Sequence, residues 1–303
     1  MIESIKGFQI EPTNICTLKC PGCSRTQFIK RWPQHWNNHY LDVKQVLNFL
    51  DIDLKNKRIN LCGNYGDPIY HPDLIDFVVQ LKKTGAVVSM VTNGSYKDKH
   101  WWQSLVDCLD SNDTIYFSID GLPENFTEYR INADWDSIKI GIEISTASKC
   151  QTIWKYIPFD YNQNNIEQVK AMSQDLGFDK FLVEPSDRFD EHTLNFLPKS
   201  DTLMGQRYHY MQDWKQQKII PELNPRCHSK SEHFISASGF YTPCCYLSDH
   251  RFYYKTTFGK NKNKFNIANT TLSQILGESD VINFYQILDQ QPGCQYNCPK
   301  IAD

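Results

Sequence analysis

The chain carries 11 cysteines, and they are bunched. Cys16, Cys20 and Cys23 fall within one short segment, CTLKCPGC. Cys227, Cys244, Cys245, Cys294 and Cys298 lie near the other end, and Cys62, Cys108 and Cys150 stand alone. Thiolates gathered in this way hold soft metals. Three from one tight loop are one short of the four that an iron–sulfur cubane normally takes, so one iron would stay open to another ligand. The competing reading is a zinc knuckle, but zinc sites usually draw on paired C-x2-C units, and no second pair lies nearby.

The rest of the composition narrows the setting. The 303 residues suggest about two domains. A content of 40% hydrophobic and 22% charged residues is globular. The net charge of −3, from 32 basic and 35 acidic residues, argues against a nucleic-acid binder. No apolar run is long enough to span a bilayer, so no membrane partner is expected. The start, MIESIKGFQIEP, lacks the apolar core of a secretory signal. A cytoplasmic, reducing setting is therefore expected, where structural disulfides are rare. The odd cysteine count agrees. Lysines 255, 260, 262 and 264 read as a solvated basic loop.

The elements that must position the first cysteines alternate along residues 1–185. Strands are expected at 8–13, 58–62, 86–91, 114–119, 151–159 and 179–184. Helices are expected at 41–50, 73–84, 98–109, 135–148 and 164–176. The stretch 135–148 reads as strand or helix, and the strand that follows it favours helix. Six strands joined through helices imply a parallel sheet with right-handed crossovers. Ligands in such sheets sit at the carboxyl ends of the strands. There stand Cys16 to Cys23, Gly63 to Pro68, Thr92-Asn93-Gly94 and Asp120-Gly121, four loops on one rim. Residues 186–221 read as a linker with a helix near 201–217. Residues 222–303 read as a smaller unit with short strands, cysteines and one helix near 271–288.

CTLKCPGC resembles the CxxxCxxC signature of the radical S-adenosylmethionine (SAM) superfamily. The resemblance implies an α/β fold, a partial (β/α)6 TIM-type barrel. In that family the open iron is chelated by SAM. The reduced cluster splits SAM, and the resulting 5′-deoxyadenosyl radical takes a hydrogen atom from the substrate. LCGNYGDP (61–68) is similar to the family's glycine-rich motif, with Asp67 in place of the usual Glu. VTNG (91–94) resembles the third-strand loop, and FSIDG with Arg130 the S-x-D-G…R segment of peptide-modifying members. YNQNN (161–165) resembles their fifth-strand asparagine region. The resemblance implies SAM contacts from Gly63, Gly66, Asp67, Asn93, Ser118 and Arg130, with Asp120 nearby. One departure is Gly22, where the family often has an aromatic residue packed on the adenine.

The C-terminal spacing, Cys227-x11-Gly239-x4-Cys244, resembles the opening of SPASM and twitch domains. A small α+β twitch domain with one auxiliary [4Fe-4S] cluster is implied, held by Cys227, Cys244, Cys294 and Cys298. Cys245 is left over, able to exchange with Cys244, to pack as a small buried residue or to return a hydrogen atom to a substrate radical. Zinc is the alternative metal for these thiols, and His228 and His233 are alternative ligands. The lone Cys62, Cys108 and Cys150 read as structural.

The implied function is a radical SAM oxidoreductase that abstracts hydrogen from a substrate carbon. A peptide or protein side chain is the favoured substrate, with oxidation, epimerisation or cross-linking as the outcome. An electron donor such as flavodoxin or ferredoxin is the implied partner. The alternatives are a small-molecule dehydrogenase on the same scaffold and a non-catalytic, metal-stabilised binding or electron-transfer protein.

Overall fold

The computed structural model describes residues 5–210, 222–229 and 231–300. Its frame is one eight-stranded sheet. The strands are β1 (Gly7–Ile10), β2 (Arg58–Leu61), β3 (Val87–Thr92), β4 (Thr114–Ser118), β5 (Gln151–Tyr156), β6 (Lys180–Val183), β7 (Glu232–Ile235) and β8 (Tyr241–Thr242). Their order is β6-β5-β4-β3-β2-β1-β7-β8. Every neighbouring pair is parallel except β7 with β8. The six expected strands are thus present in sequential order, as right-handed crossovers through helices require.

The strands stop where their donors stop. β1 ends at Ile10, three residues short of expectation, just before Glu11 and Pro12, and proline has no amide hydrogen to give. β5 ends at Tyr156, before Pro158, and the next amide, Ile157, donates to the Asp120 carboxylate (2.8 Å) instead of the ladder. In β3 buried residues alternate with half-buried ones, as the two-residue repeat of a strand demands.

Six helices connect the strands: α1 (Ser24–Arg31), α2 (Val43–Phe49), α3 (Leu74–Lys83), α4 (Lys99–Val106), α5 (Trp135–Thr146) and α6 (Ile166–Asp175). α1 begins directly after Cys23 and carried no strong periodic signal. The ambiguous stretch at 135–148 is helical. Its N-cap is Asp134, whose carboxylate accepts the Ser137 amide (3.1 Å), the usual way an aspartate satisfies a free helix donor. Of the helix expected near 201–217, a 3-10 turn (Asp201–Leu203) and helical residues 207–210 are described, and the rest lies outside the described residues. The helix expected near 271–288 is two helices, Leu272–Gly277 and Ser279–Gln286. Glu278 between them is extended (φ −71°, ψ 136°). It follows a glycine, the residue that favours helix ends.

The C-terminal part does not hang on a separate sheet. β7 pairs with β1 in register Gly7 to Glu232 and Ile10 to Ile235, and the core runs on without a break, with Phe49 of α2 packed on Tyr241 of β8 (5.8 Å). Lys264, the last of the basic stretch, is paired with Glu278 and Asp280 (both 2.8 Å). No helix among the described residues is long and apolar enough to cross a membrane.

One buried histidine gives this junction a pH dependence. His233 sits in β7 against Phe8, with Nδ1 2.6 Å from the Tyr241 hydroxyl, and burial holds its pKa down at about 4. The unfolded chain therefore binds a proton near pH 6.5 that the fold refuses. Stability is full above that pH and falls as pH drops towards 4, by about 3 kcal/mol at roughly 1.36 kcal/mol per pKa unit. Urea unfolding at pH 7 and pH 4.5 should show this loss, and His233→Gln should remove that increment. An equal acid loss in the variant would assign it elsewhere.

Candidate active site

Four loops at the carboxyl ends of β1 to β4 close around one cavity of about 970 Å³. Cys16, Cys20 and Cys23 stand on its wall, and so do Gly63, Gly66, Asp67, Asn93, Ser118 and Arg130. The sequence scatters these residues over more than a hundred positions, and the parallel sheet brings them to one rim.

The first three cysteines are close enough to act on one another. The Cys23 thiol raises the pKa of both Cys16 and Cys20, on top of the larger effect of burial. Burial leaves Cys20 at about 11 although Arg130 pulls it down. Asn93 Nδ2 lies 3.6 Å from Cys16 Sγ. Arg25, on α1, also faces Cys16, and its Nε is buried without a partner.

The glycine loop after β2 is held from below by Glu11, which sequence reasoning missed. The Glu11 carboxylate is buried. One oxygen accepts the amides of Tyr65 (2.7 Å) and Gly66 (3.2 Å), and the other accepts the amide of Ala237 (3.2 Å). Burial raises its pKa, and these amides oppose the rise. A Cβ on Gly63 would run into the Glu11 side chain, and one on Gly66 into the Thr13 carbonyl, so both positions need glycine. Asp67 turns away from the ladder and joins the second loop to the third. One oxygen accepts the Ile69 amide (3.2 Å), and the other accepts both the amide and the side-chain nitrogen of Asn93. Burial pushes its pKa up to about 6.

Asp120 is not on the cavity wall. It lies beneath, fully buried, with Oδ2 accepting Arg130 Nε (2.6 Å) and Oδ1 accepting the Ile157 amide. It anchors the arginine, whose pKa is raised by that carboxylate against the opposing effect of burial. The asparagine region after β5 braces the same loop, because Asn162 Nδ2 donates to the Asp120 carbonyl (2.9 Å). Tyr129 fills the space beside Gly22. Its hydroxyl sits where a Cβ on Gly22 would go, and its ring stacks on Phe159 at 4.1 Å. Cys62, read as structural, lines the cavity as well, whereas Cys108 and Cys150 lie away from it.

The second cysteine set also gathers. The thiols of Cys227, Cys244 and Cys294 each feel Cys298, and Cys244 hydrogen-bonds Cys245. Burial pushes Cys227 up to about 11 and Cys294 up to about 12. Cys298 borders the 970 Å³ cavity. Cys245 borders a second cleft of about 650 Å³, between α1, residues 187–192 and residues 245–252. The two spaces share seven lining residues, among them Gly22, Asn64, Arg207 and Tyr246. His228 stacks on Tyr285, and His233 Nδ1 lies against the Tyr241 hydroxyl. Among the described residues no three His, Cys, Asp or Glu side chains converge tightly enough for a single metal ion.

Known proteins share this fold and part of this sequence. Two structures of SuiB from Streptococcus suis share the fold. SuiB bound to the precursor peptide SuiA matches with a TM-score of 0.60 at 15% identity, over 93% of this chain and 67% of that one. SuiB bound to S-adenosylmethionine matches with a TM-score of 0.56 at 15% identity, over 98% and 77%. A curated relative from Pyrococcus furiosus, a tungsten-containing aldehyde ferredoxin oxidoreductase cofactor-modifying protein, is 29% identical over 123 residues. That is 39% of this chain and 32% of the relative, so the match spans about a third of the relative's length. The sequence model of the Radical SAM superfamily matches residues 10–173, the stretch from the end of β1 into α6 that holds the three loop cysteines. The chain belongs to the radical SAM superfamily.

Proposed function

We propose that this enzyme cleaves SAM in the 970 Å³ cavity and abstracts hydrogen from a carbon of a peptide or protein side chain. The observation that carries the reading is the convergence of Cys16, Cys20 and Cys23 with Gly63, Asn93, Ser118 and Arg130 on one cavity wall. The donor set suits a cluster. It has three neighbouring thiols, an adjacent arginine with an unpartnered buried Nε, and Gly63, Gly66 and Asn93 on the same wall. When bound, the cluster and SAM supply one-electron reduction and hydrogen-atom abstraction.

The chain's own residues bind, orient and shield. Cys16, Cys20 and Cys23 would hold three irons. Gly63 and Gly66 would offer backbone to the methionyl group, and Arg130, fixed by Asp120, would face its carboxylate as a planar donor. Tyr129 supplies an aromatic surface beside Gly22. Cys227, Cys244, Cys294 and Cys298 would hold an auxiliary cluster whose four protein ligands leave no open iron, which suits electron transfer. Flavodoxin or ferredoxin would deliver the first electron. The peptide reading rests on the fold shared with SuiB, on the S-x-D-G…R segment and on the 650 Å³ cleft that opens beside the cavity.

Anaerobic reconstitution should give about eight irons per chain, two cubanes. Dithionite and SAM should then release 5′-deoxyadenosine, and a true peptide substrate should raise the yield and change in mass. A chain that takes zinc and never cleaves SAM would overturn the reading.

A further inference from the structure

The glycine loop contains two side chains that its backbone role leaves unused. Between Gly63 and Gly66 stand Asn64 and Tyr65, and both reach across to the C-terminal part. Asn64 Nδ2 donates to the Cys245 carbonyl (2.8 Å). The Tyr65 hydroxyl accepts the His250 amide (2.9 Å) and lies 3.3 Å from His250 Nδ1. Its ring is wedged among Phe28, Trp36 and His250. The backbone of the loop is tied the same way, because the Glu11 carboxylate that holds the Tyr65 and Gly66 amides also holds Ala237.

Both side-chain ties end on one short piece of chain. Cys245 opens a 3-10 turn (Cys245–Ser248), and His250 follows it. Cys244, of the second cysteine set, is the residue just before the turn, and its thiol hydrogen-bonds Cys245. Whatever fixes Cys244 therefore fixes the turn, and the turn fixes Asn64 and Tyr65. Those in turn set where the backbone of Gly63 and Gly66 meets the cavity. The loop is short, running from Leu61 at the end of β2 to a 3-10 turn at Pro68–Tyr70, so it has little slack to absorb a shift.

We propose that Asn64 and Tyr65 are positioning residues that couple occupancy of the second cysteine set to SAM binding at the first. This rests on the reading that the cavity takes SAM and the second set takes a metal centre. Without metal at the second set the turn samples more conformations, and the loop is competent for a smaller fraction of the time. Apparent SAM affinity falls by that fraction. Linkage makes the effect reciprocal, so bound SAM also tightens metal retention at the second set.

The test is a double-mutant cycle on the anaerobically reconstituted protein, read as the SAM dissociation constant by equilibrium dialysis with no turnover. Tyr65→Phe keeps the ring and loses the hydroxyl. Cys294→Ser removes one thiolate from the second set without touching the cavity wall, and a fall to about four irons per chain marks loss of its cluster. Each single variant should weaken SAM binding by about fivefold or more. The double variant should bind more tightly than the product of the two single losses predicts, because Tyr65→Phe has already cut one of the two side-chain ties. Iron and circular dichroism on each variant check that the first site and the fold persist, and Asn64→Ala runs the same cycle if Tyr65→Phe misfolds. Unchanged affinity in the single variants, or losses that multiply in the double, would overturn the proposal. Failure of the wild-type protein to bind SAM would instead remove the functional reading on which it rests.

Discussion

Arg130→Ala is expected to lower the free energy of unfolding by about 3–5 kcal/mol, the usual cost of breaking a buried ion pair by deleting one partner. The Asp120 side chain is 0% exposed and its arginine 16%. Asp120 keeps the Ile157 amide in the variant but loses Arg130, its one opposite charge in contact among the described residues. Among the described residues the carboxylate is then left with one hydrogen bond, facing the space that the guanidinium filled. Guanidinium denaturation measures the loss. Adding Asp120→Asn should return a large part of it, because the stranded charge is gone and the amide oxygen still accepts from Ile157. A loss below about 1 kcal/mol, the size of an ordinary surface change, would show that the pair is solvated. The variant should also bind SAM poorly, but stability separates the arginine's structural share from its share in binding.

The second large effect is a contrast between the two cysteine sets. Cys20→Ala and Cys294→Ala should each reduce iron from about eight to about four per chain. Their chemistry should then diverge. Cys20→Ala should release no 5′-deoxyadenosine, since it removes a ligand from the set that leaves an iron open. Cys294→Ala should still release it at saturating SAM, while losing modification of any peptide that the wild type modifies, read by mass spectrometry. Equal loss of SAM cleavage in both variants would mean that the sets are not functionally distinct. Full peptide modification by Cys294→Ala would remove the electron-transfer role.

The rim was legible because each of its parts is local. Cys16 to Cys23 are spaced within one loop, Gly63 and Gly66 follow a strand, and the strands announce themselves by composition and by the turns that bound them. β1 to β6 therefore emerged in order, even where Pro12 and Pro158 cut the ends short. What was not legible depends on partners far along the chain. Glu11 is one acid among 35 acidic residues, and only its contact with Ala237 and the glycine loop marks it. Asn64 and Tyr65 are unremarked spacers until Cys245 and His250 are seen beside them. Asp120 was legible as important but not as an anchor, because spacing does not say which side of a loop a carboxylate takes. Tyr129 was hidden for the same reason: the space left by Gly22 is filled from a different loop.

The pairing of β7 with β1 bears on how the chain acquires its shape. Gly7 finds its neighbour Glu232 only after most of the chain has been made. Until then β1 has β2 on one flank and open amides and carbonyls on the other. Contacts of such sequence separation slow folding, and an open flank recruits foreign strands. A fragment ending near residue 221 would keep the four loops after β1 to β4, lose the C-terminal border of the cavity at Tyr246 and Cys298, and present β1 as a bare edge. Self-association, rather than a clean loss of one activity, is the expected fate of that fragment, and the two cysteine sets are thereby bound to a single folding event.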